Sequence, residues 1–249
     1  MTASRRFTVR WWPVALAWAL WVVAMAGLAV SVAVDQTLRR AGWPELVVLT
    51  RDAVPPLLGA AIVVTVGAVL ASRRPRHPVS WLLLAFGLAL SAAGVTVVLA
   101  NLGVANGGMP AAGLARYVPT TIVVAMVCNA FVLALTPTGA LPSRRWRWWA
   151  AVTAGTPVAL LLVVTFAPWP TTRLTQPLDS PLDLRPLDGV VMGAYRAAFA
   201  VGIAAVVVAG ASLVVRFRRA RGVERQQLRW VAFATVVVAL LGVVNVVAL

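Results

Sequence analysis

The sequence has no lysine, one cysteine, one histidine and seven acidic residues, so the side chains that most enzymes use are scarce. The single cysteine, Cys128, excludes an intramolecular disulfide and a cysteine metal cluster. A glycine-rich phosphate loop, a His-Glu-x-x-His zinc motif, a Gly-x-Ser-x-Gly nucleophile motif and a carboxylate pair within an apolar run are also absent. We therefore expect no enzyme activity, no cofactor and no metal site.

Long polar stretches are missing as well, which is unusual for a soluble domain. The chain is 61% hydrophobic and 12% charged, and its mean hydropathy is +0.89. Apolar runs of about 20 residues, the length that a helix needs to cross a bilayer, recur along the whole chain. They lack the alternation of barrel strands. The sequence predicts one all-α membrane domain over residues 1–249, a bundle of about seven spans near 11–34, 52–71, 81–100, 117–136, 150–167, 190–215 and 230–249.

The distribution of arginine over the loops predicts the orientation of these spans. Arginine-rich short loops stay in the cytoplasm during insertion. The amino terminus and the second, fourth and sixth loops contain many arginines and one acid, Glu224, whereas on the alternate loops six arginines are balanced by six acids. The amino terminus is therefore predicted to be cytoplasmic. The absence of lysine and the dominance of alanine and valine among the apolar residues indicate a GC-rich bacterial genome, so the predicted location is a bacterial plasma membrane. The arginines predicted to contact anionic headgroups are Arg73, Arg74, Arg76, Arg144, Arg145, Arg147, Arg216, Arg218, Arg219 and Arg221.

The net charge of +15 has a second interpretation, a nucleic-acid surface in which tryptophans stack on bases. No loop is long enough to build such a surface. The tryptophans cluster instead at span ends, as in an interfacial aromatic belt. We therefore expect a lipid bilayer with anionic headgroups as a partner, and no nucleic acid.

A few polar residues interrupt the predicted spans. Arg196 and Asn129 form the candidate intramembrane polar site, because a charge inside the bilayer is costly and usually functional. Arg196 has two interpretations: its side chain extends to the headgroups, or it pairs inside the bundle with Asp52 or Asp188. His77 is interpreted as an interfacial loop residue, with a phosphate-accepting role as the alternative.

Small residues recur four apart on the third predicted span. Gly87 and Ser91 follow this spacing, as do Ala85, Ala89 and Ala93. Small side chains at such intervals allow two helices in a membrane to approach closely. The sequence therefore predicts close packing on this face of the span.

Three arginine-containing segments, at residues 73–84, 137–146 and 219–230, read Arg-Arg-Pro-Arg-His-Pro-Val-Ser-Trp-Leu-Leu-Leu, Pro-Thr-Gly-Ala-Leu-Pro-Ser-Arg-Arg-Trp and Arg-Ala-Arg-Gly-Val-Glu-Arg-Gln-Gln-Leu-Arg-Trp. Together they resemble the amino-terminal membrane region of actinobacterial sensor histidine kinases. Their order and spacing follow that family over essentially the full chain. Ser80 stands where the family usually has glycine, and Thr138 where it usually has an acidic or other polar residue.

The resemblance implies a sensory or regulatory input module of a two-component system, without the kinase core and therefore truncated, split or orphaned. The implied partners are a histidine kinase, a response regulator or a second copy of the chain. No catalytic residue is implied, because the family's acceptor histidine and nucleotide-binding asparagine lie beyond the matching region. Two alternatives remain: a small permease or channel, and a non-functional gene remnant.

Overall fold

The structure is a computed structural model that describes residues 11–50, 53–107, 110–136, 139–166 and 188–219, with the side chains of 110–112, 188, 217 and 219 excepted. The described residues are helical apart from their connections and contain no strand, which confirms the all-α prediction for them. The helices are α1 (Trp12–Arg40), α2 (Val54–Arg73), α3 (Pro78–Ala105), α4 (Val118–Leu135), α5 (Trp146–Phe166) and α6 (Asp188–Arg219). Two 3-10 segments, Pro44–Leu46 and Pro110–Tyr117, precede α2 and α4.

All six helices are long and apolar enough to cross a membrane. They coincide with the first six predicted spans, and the seventh, at 230–249, lies outside the described residues. The largest difference at one boundary is at the end of α1, which continues to Arg40 although its span was predicted to end at residue 34, and α3 extends three residues before and five residues after its predicted span. Asp35, Arg39 and Arg40 therefore lie on the last turns of a helix and not in a loop.

The helices form two groups of three that meet where α3 packs against α4. In the first group α1, α2 and α3 all contact one another, and in the second α4, α5 and α6 do. A cluster that includes Ala17, Val64 and Leu84 fills the first group. The second group is filled by clusters around Ala130 and Val127. Most of these buried residues are alanine or valine, and such small side chains allow the helix axes to lie close together.

Backbone contact between α2 and α3 confirms the predicted close packing at Gly87. A Cβ atom added to Gly87 would lie 2.6 Å from the Val64 Cβ, and one added to Gly67 would lie 2.7 Å from the Leu84 backbone nitrogen. Only glycine permits these distances. Association of helices in lipid depends on such packing, because lipid tails are as apolar as the side chains.

Hydrogen bonds between helices join α1 to both of its neighbours. The buried Ser91 hydroxyl donates to the Ala24 carbonyl oxygen at 2.8 Å and lies against Gly27, which links α3 to α1. The Trp21 indole Nε1 donates to the Thr65 hydroxyl at 2.9 Å, which links α1 to α2. Each bond satisfies a polar group that would be costly to leave unpaired in an apolar environment.

Candidate functional site: the arginine-rich end of the bundle

The candidate site is one end of the bundle, where α2, α4 and α6 end and α1, α3 and α5 begin. Its described arginine side chains, here called the arginine-rich end, are Arg73, Arg74, Arg76, Arg144, Arg145, Arg147, Arg216 and Arg218. All are exposed except Arg216, which is half-buried. No acidic residue lies among the described residues of this end. The Arg219 side chain and Arg221 lie outside the described part of the chain.

The connection between α2 and α3 is held in a compact turn by its own side chains. The Ser80 hydroxyl, which is buried, donates to the His77 carbonyl oxygen at 2.6 Å. The Trp81 indole Nε1 donates to the Pro75 carbonyl oxygen at 2.8 Å. Pro78 occupies the first turn of α3, where its missing N–H has no helical partner to lose. Ser80 therefore fixes the start of α3 through a bond that a glycine at this position could not make.

This turn touches the connection between α4 and α5 at Gly139. The Gly139 backbone has a φ of +75°, a conformation that favours glycine. A Cβ atom there would lie 3.3 Å from Pro78 Cδ and 3.4 Å from His77 Nε2. The half-buried His77 side chain thus packs against the neighbouring connection. Two of the three segments that carry the family resemblance are in contact.

Arg216 ties the end of α6 to the end of α4. Its Nη1 donates to the Thr136 carbonyl oxygen at 2.8 Å, and its Nη2 donates to the carbonyl oxygens of Leu133 at 3.1 Å and Ala134 at 2.9 Å. The last carbonyls of a helix have no partner within it and carry partial negative charge. A guanidinium group placed there satisfies three of them and also offsets the helix dipole.

The remaining carbonyls at the end of α4 are satisfied locally. The Leu135 oxygen accepts from the Gly139 backbone N–H at 2.6 Å, and the Val132 oxygen accepts from the Thr136 N–H at 3.1 Å and hydroxyl at 2.6 Å. Together with the bonds from Arg216, every carbonyl from Val132 to Thr136 is paired. The end of α4 therefore depends on α6 as well as on its own connection.

The opposite end of the bundle contains a buried carboxylate. Asp35 accepts hydrogen bonds from the backbone N–H groups of Val48 at 2.7 Å and Leu49 at 3.0 Å, and forms an ion pair with Arg39 at 3.1 Å. Arg39 also donates to the Leu49 carbonyl oxygen. Asn101 on α3 donates to the Leu46 carbonyl oxygen at 2.8 Å. These bonds hold the connection between α1 and α2 against the helix ends.

Arg196 and Asn129, the predicted intramembrane polar site, are not brought together. Gly202 on α6 packs against Met126 on α4, and the two helices run in parallel. In this register Asn129 lies three residues beyond Met126, whereas Arg196 lies six residues before Gly202. The two residues are therefore nine positions apart, or about 13 Å along the helix axes. Arg196 is exposed on the outer face of α6, and Asn129 is half-buried on α4. The proposed partners of Arg196, Asp52 and the Asp188 side chain, lie outside the described residues.

Sequence reasoning missed the internal roles of Asp35 and Arg216. The spacing of Asp35 and Arg39, four apart, could have indicated a pair on a helix. Nothing in the sequence indicates the partners of Arg216, since these are backbone carbonyls of a distant helix. Within the described residues, no group of three or more histidine, cysteine, aspartate or glutamate side chains is placed to hold a metal ion.

Comparison of the chain with protein-family models, with curated proteins and with solved structures found no match.

Proposed function

We propose that the chain is a regulatory input module of a bacterial plasma membrane, with the arginine-rich end and the amino terminus in the cytoplasm and seven spans in all. It would act by rearrangement of its helices and not by catalysis. The observation that carries the proposal is the coupling of helix ends at the arginine-rich end. There α6 is bonded to α4 through Arg216, and the connection after α4 packs on the turn before α3 at Gly139.

This coupling suits signal transmission for a physical reason. A shift of α6 along its axis would pull the Arg216 guanidinium from three carbonyls at once, so α4 and α6 have a preferred relative position at this end. An input module needs an element whose arrangement can be biased by a stimulus and read elsewhere. The proposed reader is a histidine kinase or a response regulator that contacts the arginine-rich end.

The orientation can be tested by cysteine labelling. Cys128 is buried, so a Cys128→Ala chain supplies a background without cysteine. We expect Asn106→Cys, exposed at the opposite end, to react with an impermeant maleimide on intact cells. Ser143→Cys, exposed at the arginine-rich end, should react only after permeabilisation. The reverse pattern would contradict the proposed orientation.

The partner can be tested with a photo-crosslinking amino acid at Ser143, with the same group at Asn106 as the matched control. We expect a histidine kinase or response regulator to be crosslinked from Ser143 and not from Asn106. Crosslinks to lipid alone from both positions would contradict the signalling proposal.

A permease or channel needs a continuous polar path through the bundle. Between α2 and α3 such a path has no room at the level of Gly67 and Gly87, where the backbones are in contact. This contact closes one route through the bundle, and the regulatory function is preferred on the coupling of the helix ends. Solute flux into liposomes that contain the purified chain, above that of empty liposomes, would favour the permease.

A further inference from the structure

A groove lies on the outer face of the bundle at the start of α5. It has a volume of about 570 Å³ and is lined by Arg144, Arg147, Trp148 and Ala151. Arg147, Trp148 and Ala151 lie on the first turns of α5, and Arg144 lies in the turn immediately before the helix. All four side chains are exposed, and Trp148 is 80% exposed.

The groove offers positive charge without a neutralising acid. Neither Arg144 nor Arg147 forms an ion pair within the described residues. The acidic side chains that the structure describes, Asp35 and Glu45, lie at the opposite end of the bundle. A planar guanidinium group binds phosphate oxygens in a bidentate geometry. Two such groups beside one groove are complementary to a phosphate group.

The backbone at the start of α5 is not the source of this positive charge. The N–H groups of Trp146, Arg147 and Trp148 already donate to the carbonyl oxygens of residues 143, 144 and 145, at 3.1, 3.1 and 3.3 Å. An anion in the groove would therefore be held by side chains. Substitution of the arginines should remove most of the attraction.

The same face of α5 continues as an apolar track. Ala151, Gly155, Val158 and Leu162 follow one another at helical spacing and are exposed. Gly155 has open space around it, since a Cβ there would meet nothing within 4 Å. From Trp148 to Leu162 the helix rises about 21 Å. This exceeds the roughly 15 Å depth of hydrocarbon in one leaflet.

We propose that this face of α5 is a binding site for an anionic phospholipid. The phosphate group binds between the guanidinium groups of Arg144 and Arg147, the Trp148 ring lies at the interface, and one acyl chain follows the track past Gly155. A phospholipid is favoured over a free phosphate or an acidic protein segment because the cationic groove leads directly into the apolar track. The proposal rests on the membrane placement of the bundle and not on its regulatory role.

The charge of the site is tested with the purified full chain by native mass spectrometry, with dioleoyl phosphatidylglycerol as the probe and dioleoyl phosphatidylcholine as the neutral reference. The double substitution of Arg144 and Arg147 by glutamine should weaken phosphatidylglycerol binding about 30-fold, at about tenfold per 1.4 kcal/mol and about 1 kcal/mol per arginine. The matched control replaces Arg73 and Arg74, exposed arginines outside the groove, by glutamine. Arg73 and Arg74 add only general attraction to an anionic headgroup, so we expect this control to weaken phosphatidylglycerol binding severalfold at most, clearly less than the double substitution of Arg144 and Arg147.

The acyl track is tested with Gly155→Leu, which fills the space beside the groove. The matched control is Gly59→Leu on α2, where a side chain also meets nothing within 4 Å. We expect Gly155→Leu to weaken binding of dioleoyl phosphatidylglycerol but not of the dihexanoyl form, whose chains end before Gly155. Gly59→Leu should change neither.

Three results would overturn the proposal. The first is an equal loss of phosphatidylglycerol binding on substitution of Arg144 and Arg147 and on substitution of Arg73 and Arg74. That result would show that the lipid is attracted to the arginine-rich end in general and not to the groove. The second is a wild-type chain that binds phosphatidylcholine with the same affinity as phosphatidylglycerol. The third is inorganic phosphate that competes as well as the phospholipid, which would show that the acyl track takes no part. A failure of kinase crosslinking from Ser143 would leave the lipid site unaffected.

Discussion

Replacement of Arg216 by methionine tests whether the arginine-rich end is held together by hydrogen bonds or only by apolar packing. Methionine keeps much of the side-chain length but cannot donate to the carbonyls of Leu133, Ala134 and Thr136. A hydrogen bond to a charged group contributes about 1.5–3 kcal/mol. Because the Arg216 site is half-buried, water can reach the carbonyls and replace part of the lost hydrogen bonding. We therefore expect a total loss of about 3 kcal/mol for the three bonds and the dipole interaction.

The assay is thermal unfolding of the purified chain in detergent, followed by tryptophan fluorescence. A chain of this size loses about 2–4 °C in Tm per kcal/mol, so Arg216→Met should melt about 9 °C below wild type. Arg216→Lys keeps the charge but loses the planar guanidinium group, and its Tm should lie between those of wild type and Arg216→Met.

The matched control is Arg218→Met, two residues further along α6, which removes the same charge from an exposed side chain. We expect its Tm to remain close to that of wild type. Equal melting temperatures for Arg216→Met and Arg218→Met would refute the reasoning, because they would show that the bonds to α4 add nothing to stability.

Three further substitutions test the other polar and close contacts of the bundle. Asp35→Ala leaves two backbone N–H groups and the Arg39 Nε without their acceptor, and should lower the free energy of unfolding in detergent by about 3 kcal/mol. Gly67→Ala places a methyl group against the α3 backbone and should lower Tm strongly, whereas Gly59→Ala, in open space, should not lower it. Arg196→Leu should leave Tm unchanged because the side chain is exposed on the outer face of α6; a lower Tm would indicate a partner inside the bundle.

Hydropathy predicted the positions of the described spans closely and some of their ends less closely. The fourth span was expected at 117–136, and α4 occupies Val118–Leu135. The first was expected to end at residue 34, but α1 continues to Arg40. Hydropathy reports which residues favour lipid, whereas a helix ends where its backbone hydrogen bonds end. Asp35 could therefore lie on the helix and still bond to the connection that follows.

The partners in each contact were harder to predict than the contacts themselves. The spacing of Gly87 and Ser91 indicated close packing, and both residues do contact a neighbouring helix. Which helix they contact could not be predicted, because alanine and valine are spread over every span and favour no particular pairing. Arg216 was assigned to the headgroups on charge alone. Its bonds to α4 depend on a register that no local pattern contains.

The arginines of one end therefore have different physical roles, although a charge count treats them alike. The Arg216 guanidinium donates to helix carbonyls inside the bundle, and Arg144 and Arg147 line a groove on its outer face. Orientation during insertion depends on the sum of positive charge near the spans. Stability depends instead on bonds that only one of these arginines makes to another helix. Neutralising Arg218 should thus weaken the orientation signal alone, whereas neutralising Arg216 should weaken orientation and stability together.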